Sequence, residues 1–157
     1  MNQTGTPVIE NDALLSEDYF QKMLIHERKR TERFGRPFML IMLDVGRLVE
    51  KRREANDILF QNLALAVNSS TREIDLKGWY MRDKLIGILC PEFSRADKNW
   101  ILEKLGQKLA AYLEPDEAAA IKIFCLFYPD IEEKNARGAK DIDIDELHPE
   151  WRGFFQS

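Results

Sequence analysis

Residues 71–91 read TREIDLKGWYMRDKLIGILCP. Two apolar runs, Gly78 to Tyr80 and Leu85 to Leu89, flank the polar triplet Arg82-Asp83-Lys84. Short runs rich in strand-forming side chains, parted by a polar turn, predict a β-hairpin. Upstream, ANDILFQNLALAVNSSTR (residues 55–72) carries Ile58, Leu59, Leu63, Leu65 and Ala66, which are expected to form the apolar side of a helix. Downstream, Ser94 can cap another helix bearing Trp100, Ile101, Leu105, Leu109 and Leu113. The hairpin is thus bracketed by helices.

The outer elements extend this alternation. Ser16 is a candidate N-cap, and Glu17 and Asp18 suit the positive end of a helix dipole. Tyr19, Phe20, Met23 and Leu24 follow helical spacing, and the helix is expected to stop at Gly35, before Pro37. Phe38 to Leu43 (FMLIML) reads as a strand buried on both faces and ending in Asp44. Ile121 to Tyr128 (IKIFCLFY) is the last clear strand. The order α-β-α-β-β-α-β describes an α+β sandwich, with a central mixed, largely antiparallel sheet flanked by helices. No Walker loop or dinucleotide glycine fingerprint is present, which argues against a doubly wound nucleotide fold.

Composition sets the outer bounds. The 157 residues include 23 Lys+Arg against 27 Asp+Glu, a net charge of -4 that argues against sequence-independent DNA binding. The run Phe38 to Leu43 is far too short to span a bilayer. The first residues, MNQTGTPVIEND, lack the basic and apolar regions of a signal peptide, so a cytoplasmic location is expected. Cys90 and Cys125 sit inside apolar segments and read as buried thiols. With only His26 and His148, a zinc site is nearly excluded. Residues 1–13 are polar and aperiodic and are expected to be flexible. Residues 14–128 form the expected domain. Residues 129–157 hold the acidic run DIDIDE and the aromatics Trp151, Phe154 and Phe155, and read as a tail or a linker to a following domain.

These segments, in this order and at these intervals, resemble the GGDEF domain of bacterial diguanylate cyclases. The similarity runs from DALL at Asp12, through ERKRTERFGRPFMLIMLDV (residues 27–45), to the last strand at Tyr128. It is strongest from Asp57 onward, where a helix, an Arg-x-x-Asp motif, a five-residue interval, a hairpin and a strand follow one another as in the family. The resemblance implies a nucleotide-cyclase-like sandwich.

The signature itself is altered. Met81-Arg82-Asp83-Lys84-Leu85 stands where the family has Gly-Gly-Asp/Glu-Glu-Phe. Paired glycines let a backbone approach a nucleotide closely, whereas Met81 and Arg82 add bulk there. Lys84 puts a cation where the family has an acid. In VGRLVEKRREAND (residues 45–57), Val49 replaces a family lysine and the glycines of the substrate loop are missing. No closing basic helix is recognisable after Asp130. Phosphoryl transfer depends on positioned phosphates and charge neutralisation, so the expectation is a catalytically inactive domain. Asp44 and Asp83 match the family's metal ligands and are vestigial candidates for Mg²⁺; otherwise they are a solvated strand end and turn. No other cofactor is expected.

A ligand role is the remaining implication. Arg72-Glu73-Ile74-Asp75 is the chain's one Arg-x-x-Asp, and it stands where the family carries its product-binding site. With 12 Arg and 12 Asp in the chain, about one such tetrapeptide is expected by chance, so position alone gives the motif weight. A guanidinium can donate two parallel hydrogen bonds to guanine O6 and N7, and a carboxylate can accept from N1 and N2. Lys104 and Arg30 match basic positions that assist the ligand in the family; the alternatives are an exposed helix charge and one member of a basic run. For Arg72 and Asp75 the alternative is a surface ion pair. Trp79 and Tyr80 read as strand core. The expected function is a cyclic di-GMP receptor, with ligand-dependent homodimerisation and a fused or associated output domain. The rival is a nucleotide-independent scaffold or dimerisation module.

Overall fold

The structure, a computed structural model, describes residues 14–51, 56–92 and 95–128. Ser16 starts the first helix, α1 (Glu17–Phe34), by accepting a hydrogen bond from the Tyr19 amide at 3.3 Å. Gly35 ends it with φ 76, a left-handed conformation that costs glycine little, and its amide donates to the Thr31 carbonyl. The chain turns through Pro37 into β1 (Phe38–Asp44). Two elements follow, a short α2 (Gly46–Lys51) and α3 (Asn56–Ser69). The hairpin is β2 (Leu76–Met81) and β3 (Leu85–Pro91). Then come α4 (Arg95–Tyr112), α5 (Pro115–Ala119) and β4 (Lys122–Tyr128).

The four strands lie in the order β2-β3-β1-β4, and every strand pair is antiparallel. One isolated parallel bridge joins Leu15 to Gly78 at the β2 edge. The fold is the expected α+β sandwich, with α2 and α5 added to the expected order. Pro115 at the start of α5 and the reciprocal Glu114–Glu117 capping box explain why so short a segment turns helical.

Alternation in β1 divides the core. Phe38, Leu40 and Met42 face α1, while Met39, Ile41 and Leu43 face the layer of α2, α3 and α4. All six are fully buried, each worth up to about 1.5–3 kcal/mol of transfer free energy. That is why this strand has no polar alternation.

A glycine pair seats α1. Gly78 and Gly87 face each other across β2 and β3. A Cβ on Gly87 would lie 2.7 Å from two ring atoms of Phe20, and one on Gly78 would lie 2.7 Å from Leu15 Cβ. The missing side chains form the slot that Phe20 fills, so the glycines are there for close approach. From this point α1 crosses the sheet toward β4, where Arg28 and Glu32 both hydrogen-bond the Tyr128 hydroxyl.

Some apolar expectations fail on the helices. Ile58, Leu65 and Trp100 are exposed by 64%, 49% and 53%. The inward stripe of α3 is Leu59, Phe60, Leu63, Ala64, Ala66 and Val67, which leaves Ile58 and Leu65, seven residues apart, on the outer side. On α4, Ile101, Leu105 and Leu109 take the inner face, and the Trp100 ring is covered by Lys104 Nζ at 4.7 Å. Cys90 and Cys125 are free and buried, and burial pushes the Cys90 thiol well above its ordinary range. The expectations for residues 1–13, Ser94, His148 and the tail from 129 onward, including Trp151, Phe154 and Phe155, lie outside the described residues.

Candidate functional site

The candidate residues divide between opposite ends of one sheet. Register sets this division: Asp44 lies opposite Leu85, whereas Phe38 lies opposite Pro91. The hairpin turn and Asp44 therefore share one end. The turn preceding β2, the end of β3 and the turn between α1 and β1 share the other.

At the hairpin end, Asp83 holds φ 67, a left-handed conformation that suits Asp better than most side chains. Asp44 and Asp83 are at the same end, but each has a local partner. Asp44 Oδ1 accepts from the Gly46 amide at 3.1 Å, and Asp83 Oδ1 pairs with Arg82 Nε at 3.3 Å. Arg82 also lies over two rings, 4.8 Å from the Trp79 centroid and 5.2 Å from that of Phe60. Its amide donates to Glu17 Oε1 at 2.8 Å, which ties the turn to the start of α1. Val49 is buried in α2, and Lys84 is an exposed cation next to Asp83. Among the described residues no three His, Cys, Asp or Glu side chains cluster as a metal site. The Trp79 and Tyr80 side chains are core, as expected.

At the other end, the Arg-x-x-Asp motif forms a tight turn. The Asp75 amide donates to the Arg72 carbonyl at 3.0 Å. The Asp75 carboxylate accepts from the Arg72 amide (2.9 Å), Nε (3.2 Å) and Nη2 (2.8 Å). This is a two-pronged guanidinium–carboxylate pair with a backbone bond added. Asp75 has 0% side-chain exposure, and Arg72 keeps 31%. The guanidinium also donates to the end of β3, to the Pro91 carbonyl at 3.1 Å and the Glu92 carbonyl at 3.3 Å. Lys77 Nζ closes the turn from below on the Asp75 carbonyl at 2.9 Å, and burial lowers its pKa, with the Asp75 charge opposing that shift.

Asp75 thus positions Arg72, and in this arrangement it does not face solvent. Arg30 lies on the exposed side of α1, where it pairs with Glu27 at 3.2 Å. Together with Phe34 and Arg36 these two residues line an open cavity of about 330 Å³. Arg36 Nη1 reaches Glu92 Oε2 at 3.7 Å, so Glu92 connects this cavity to Arg72. Lys104 is held on its own helix over Trp100. His26 is exposed on α1.

Sequence reasoning missed Arg36, Glu92 and Phe34. The turn residues Gly35 and Pro37 mark where Arg36 sits, but its closeness to Glu92 depends on the β1–β3 register, which no local pattern encodes.

Many solved structures that share this architecture contain GGDEF domains. The diguanylate cyclase SiaD of Pseudomonas aeruginosa, solved with its activator SiaC, superposes with a TM-score of 0.59 at 22% identity; 74% of this chain is covered, and it spans 47% of SiaD's. A truncated TpbB (YfiN) from the same organism, comprising only its GGDEF domain, gives 0.61 at 18% identity over 84% of this chain and 91% of that one. The GGDEF domain of DgcB from Caulobacter crescentus, in complex with c-di-GMP, gives 0.60 at 14% identity over 81% and 78%. No family model matches the sequence, and no curated protein matches it. The chain has the GGDEF-domain fold. No described helix is long and apolar enough to cross a membrane.

Proposed function

We propose that this chain is a non-catalytic GGDEF-like regulatory domain that binds cyclic di-GMP at Arg72, in the cytoplasm, and signals to an attached or associated output. The observation that carries this reading is the Arg72 guanidinium. A buried carboxylate orients it, it keeps 31% side-chain exposure, and Glu92 links it to Arg36 in the turn after α1.

Guanine O6 and N7 would take the N–H groups now given to the Pro91 and Glu92 carbonyls. Asp75 acts first by fixing the fork; reaching guanine N1 and N2 itself requires the turn to open. Arg30 offers a further cation, and Lys104 supplies one on α4.

The absence of catalysis is supported at the hairpin. A divalent cation there needs carboxylates that are not already neutralised. Asp83 shares its charge with Arg82 and Lys84 adds a cation alongside, so beyond Asp44 this end offers Mg²⁺ little net negative charge. Incubation with GTP and Mg²⁺ or Mn²⁺ should yield no cyclic dinucleotide, and any product refutes this part.

Calorimetry with cyclic di-GMP tests the receptor. Arg72→Ala should weaken binding by about 1–3 kcal/mol. Arg72→Lys keeps a cation against Asp75 while losing the two-pronged geometry, so it separates binding from folding. An unchanged isotherm for the lysine variant removes the assignment. Size measurement during the titration reads out the proposed ligand-dependent dimer. The second reading, a nucleotide-independent scaffold, is favoured by one observation: the Arg72–Asp75 pair is satisfied within the chain, with Asp75 fully covered. It predicts no heat with cyclic di-GMP.

A further inference from the structure

The geometry points to a second anion contact at Arg36, gated by Glu92, that takes a phosphate of a nucleotide-class ligand beside Arg72. This rests on the reading of Arg72 as the ligand's arginine, and it adds a residue and a gate to that site.

Glu92 joins the two guanidinium groups. Its φ of 49 is a left-handed conformation that non-glycine residues rarely adopt. In that conformation its carbonyl oxygen accepts from Arg72 Nη1 at 3.3 Å while its carboxylate lies 3.7 Å from Arg36 Nη1. One residue thereby engages two guanidinium groups from different elements, through its main chain on one side and its side chain on the other.

The two halves of this link differ in strength. Arg36 and Glu92 have side-chain exposures of 67% and 59%, so their pair is solvated and screened. A phosphate offers several acceptor oxygens to the same guanidinium and competes well with such a carboxylate. The Arg36 main chain, by contrast, is anchored: its carbonyl accepts from Thr31 Oγ1 at 2.7 Å, and Pro37 follows it. A fixed root with a replaceable partner is what an anion contact requires.

The surroundings name the ligand class. Arg36 lines the cavity shared with Glu27, Arg30 and Phe34; Phe34 is 65% exposed at its wall, with the Arg33 guanidinium 6.0 Å from its ring centroid. An aromatic face beside guanidinium groups suits a planar base attached to a phosphodiester. Each cation there now faces an acid, Glu27 for Arg30 and Glu92 for Arg36. Binding is therefore an exchange of a carboxylate for a phosphate, and Glu92 sets its threshold.

The test titrates the full chain with two probes, pyrophosphate and cyclic di-GMP, in wild type, Arg36→Ala and Glu92→Gln. Arg36→Ala should weaken both probes about tenfold, as loss of a charge-assisted contact implies. Glu92→Gln should tighten both by about two- to fivefold, because it removes an exposed competing carboxylate. Pyrophosphate responses of this kind without any cyclic di-GMP binding uphold the Arg36 contact and refute the cyclic di-GMP reading. Cyclic di-GMP binding that requires Arg72 but ignores both variants overturns the Arg36 contact and leaves that reading intact. Binding of neither probe overturns both.

Discussion

The two ends of the sheet hold similar residue types in opposite states. At the hairpin end, Arg82 spreads over Trp79 and Phe60 and pairs with Asp83, so its cation is spent on the protein's own rings and acid. At the far end, Arg72 is locked to a buried carboxylate and Arg30 to a Glu27 that is only 13% exposed, while Arg36 has a partner, Glu92, that water can replace. The difference shows that charge alone does not mark a site. What matters is whether a cation's partner is buried and permanent or exposed and exchangeable.

Four substitutions break or sharpen this contrast. The largest effect should come from Phe20→Ala, which empties the glycine slot between the ends; about 3–5 kcal/mol of stability should be lost in urea unfolding. Asp75→Ala comes next, at roughly 2–4 kcal/mol, since it removes three bonds to a buried acceptor while leaving a guanidinium that water can partly reach. A loss below 1 kcal/mol there would show that the far-end turn does not depend on its ion pair. Arg82→Ala should cost about 1 kcal/mol, the scale of an exposed cation over aromatic rings, and should raise the exposure of Trp79 to a fluorescence quencher. Arg36→Ala should leave the unfolding midpoint almost unchanged, within about 0.5 kcal/mol, because its pair is exposed. A large destabilisation by that last variant would mean that the two ends are not distinguished by exchangeability.

Much of the architecture was legible in the chain. Ser16 and Gly35 bound α1 as read, the apolar run from Phe38 to Leu43 is a strand covered on both faces, and the polar triplet Arg82-Asp83-Lys84 is the hairpin turn. These features are local or strongly periodic, which is where sequence patterns are informative. The signal for α5 was also present, in Glu114-Pro115-Asp116-Glu117, but it is a short capping pattern with little periodicity behind it. Ile58, Leu65 and Trp100 misled because an apolar side chain on a helix can point outward as readily as inward.

The site was legible only in part. Arg72 and Asp75 could be picked out by their spacing from the hairpin, but the burial of Asp75 could not. It follows from the return of β3, whose last carbonyls close over the guanidinium. Likewise Arg36 and Glu92 are 56 residues apart by their numbering and meet because Phe38 aligns with Pro91. Long-range register of this kind leaves no mark on either segment alone.

The ring of Phe20, sunk between Gly78 and Gly87, also acts as a dowel for the start of α1. From that point to Phe34 the helix extends about 20 Å, at 1.5 Å per residue. Arg28 and Glu32 fasten its distal half to the Tyr128 hydroxyl on β4. Two attachments spaced along one rod leave it little freedom to pivot, so Arg30 is carried at a set position over the strands.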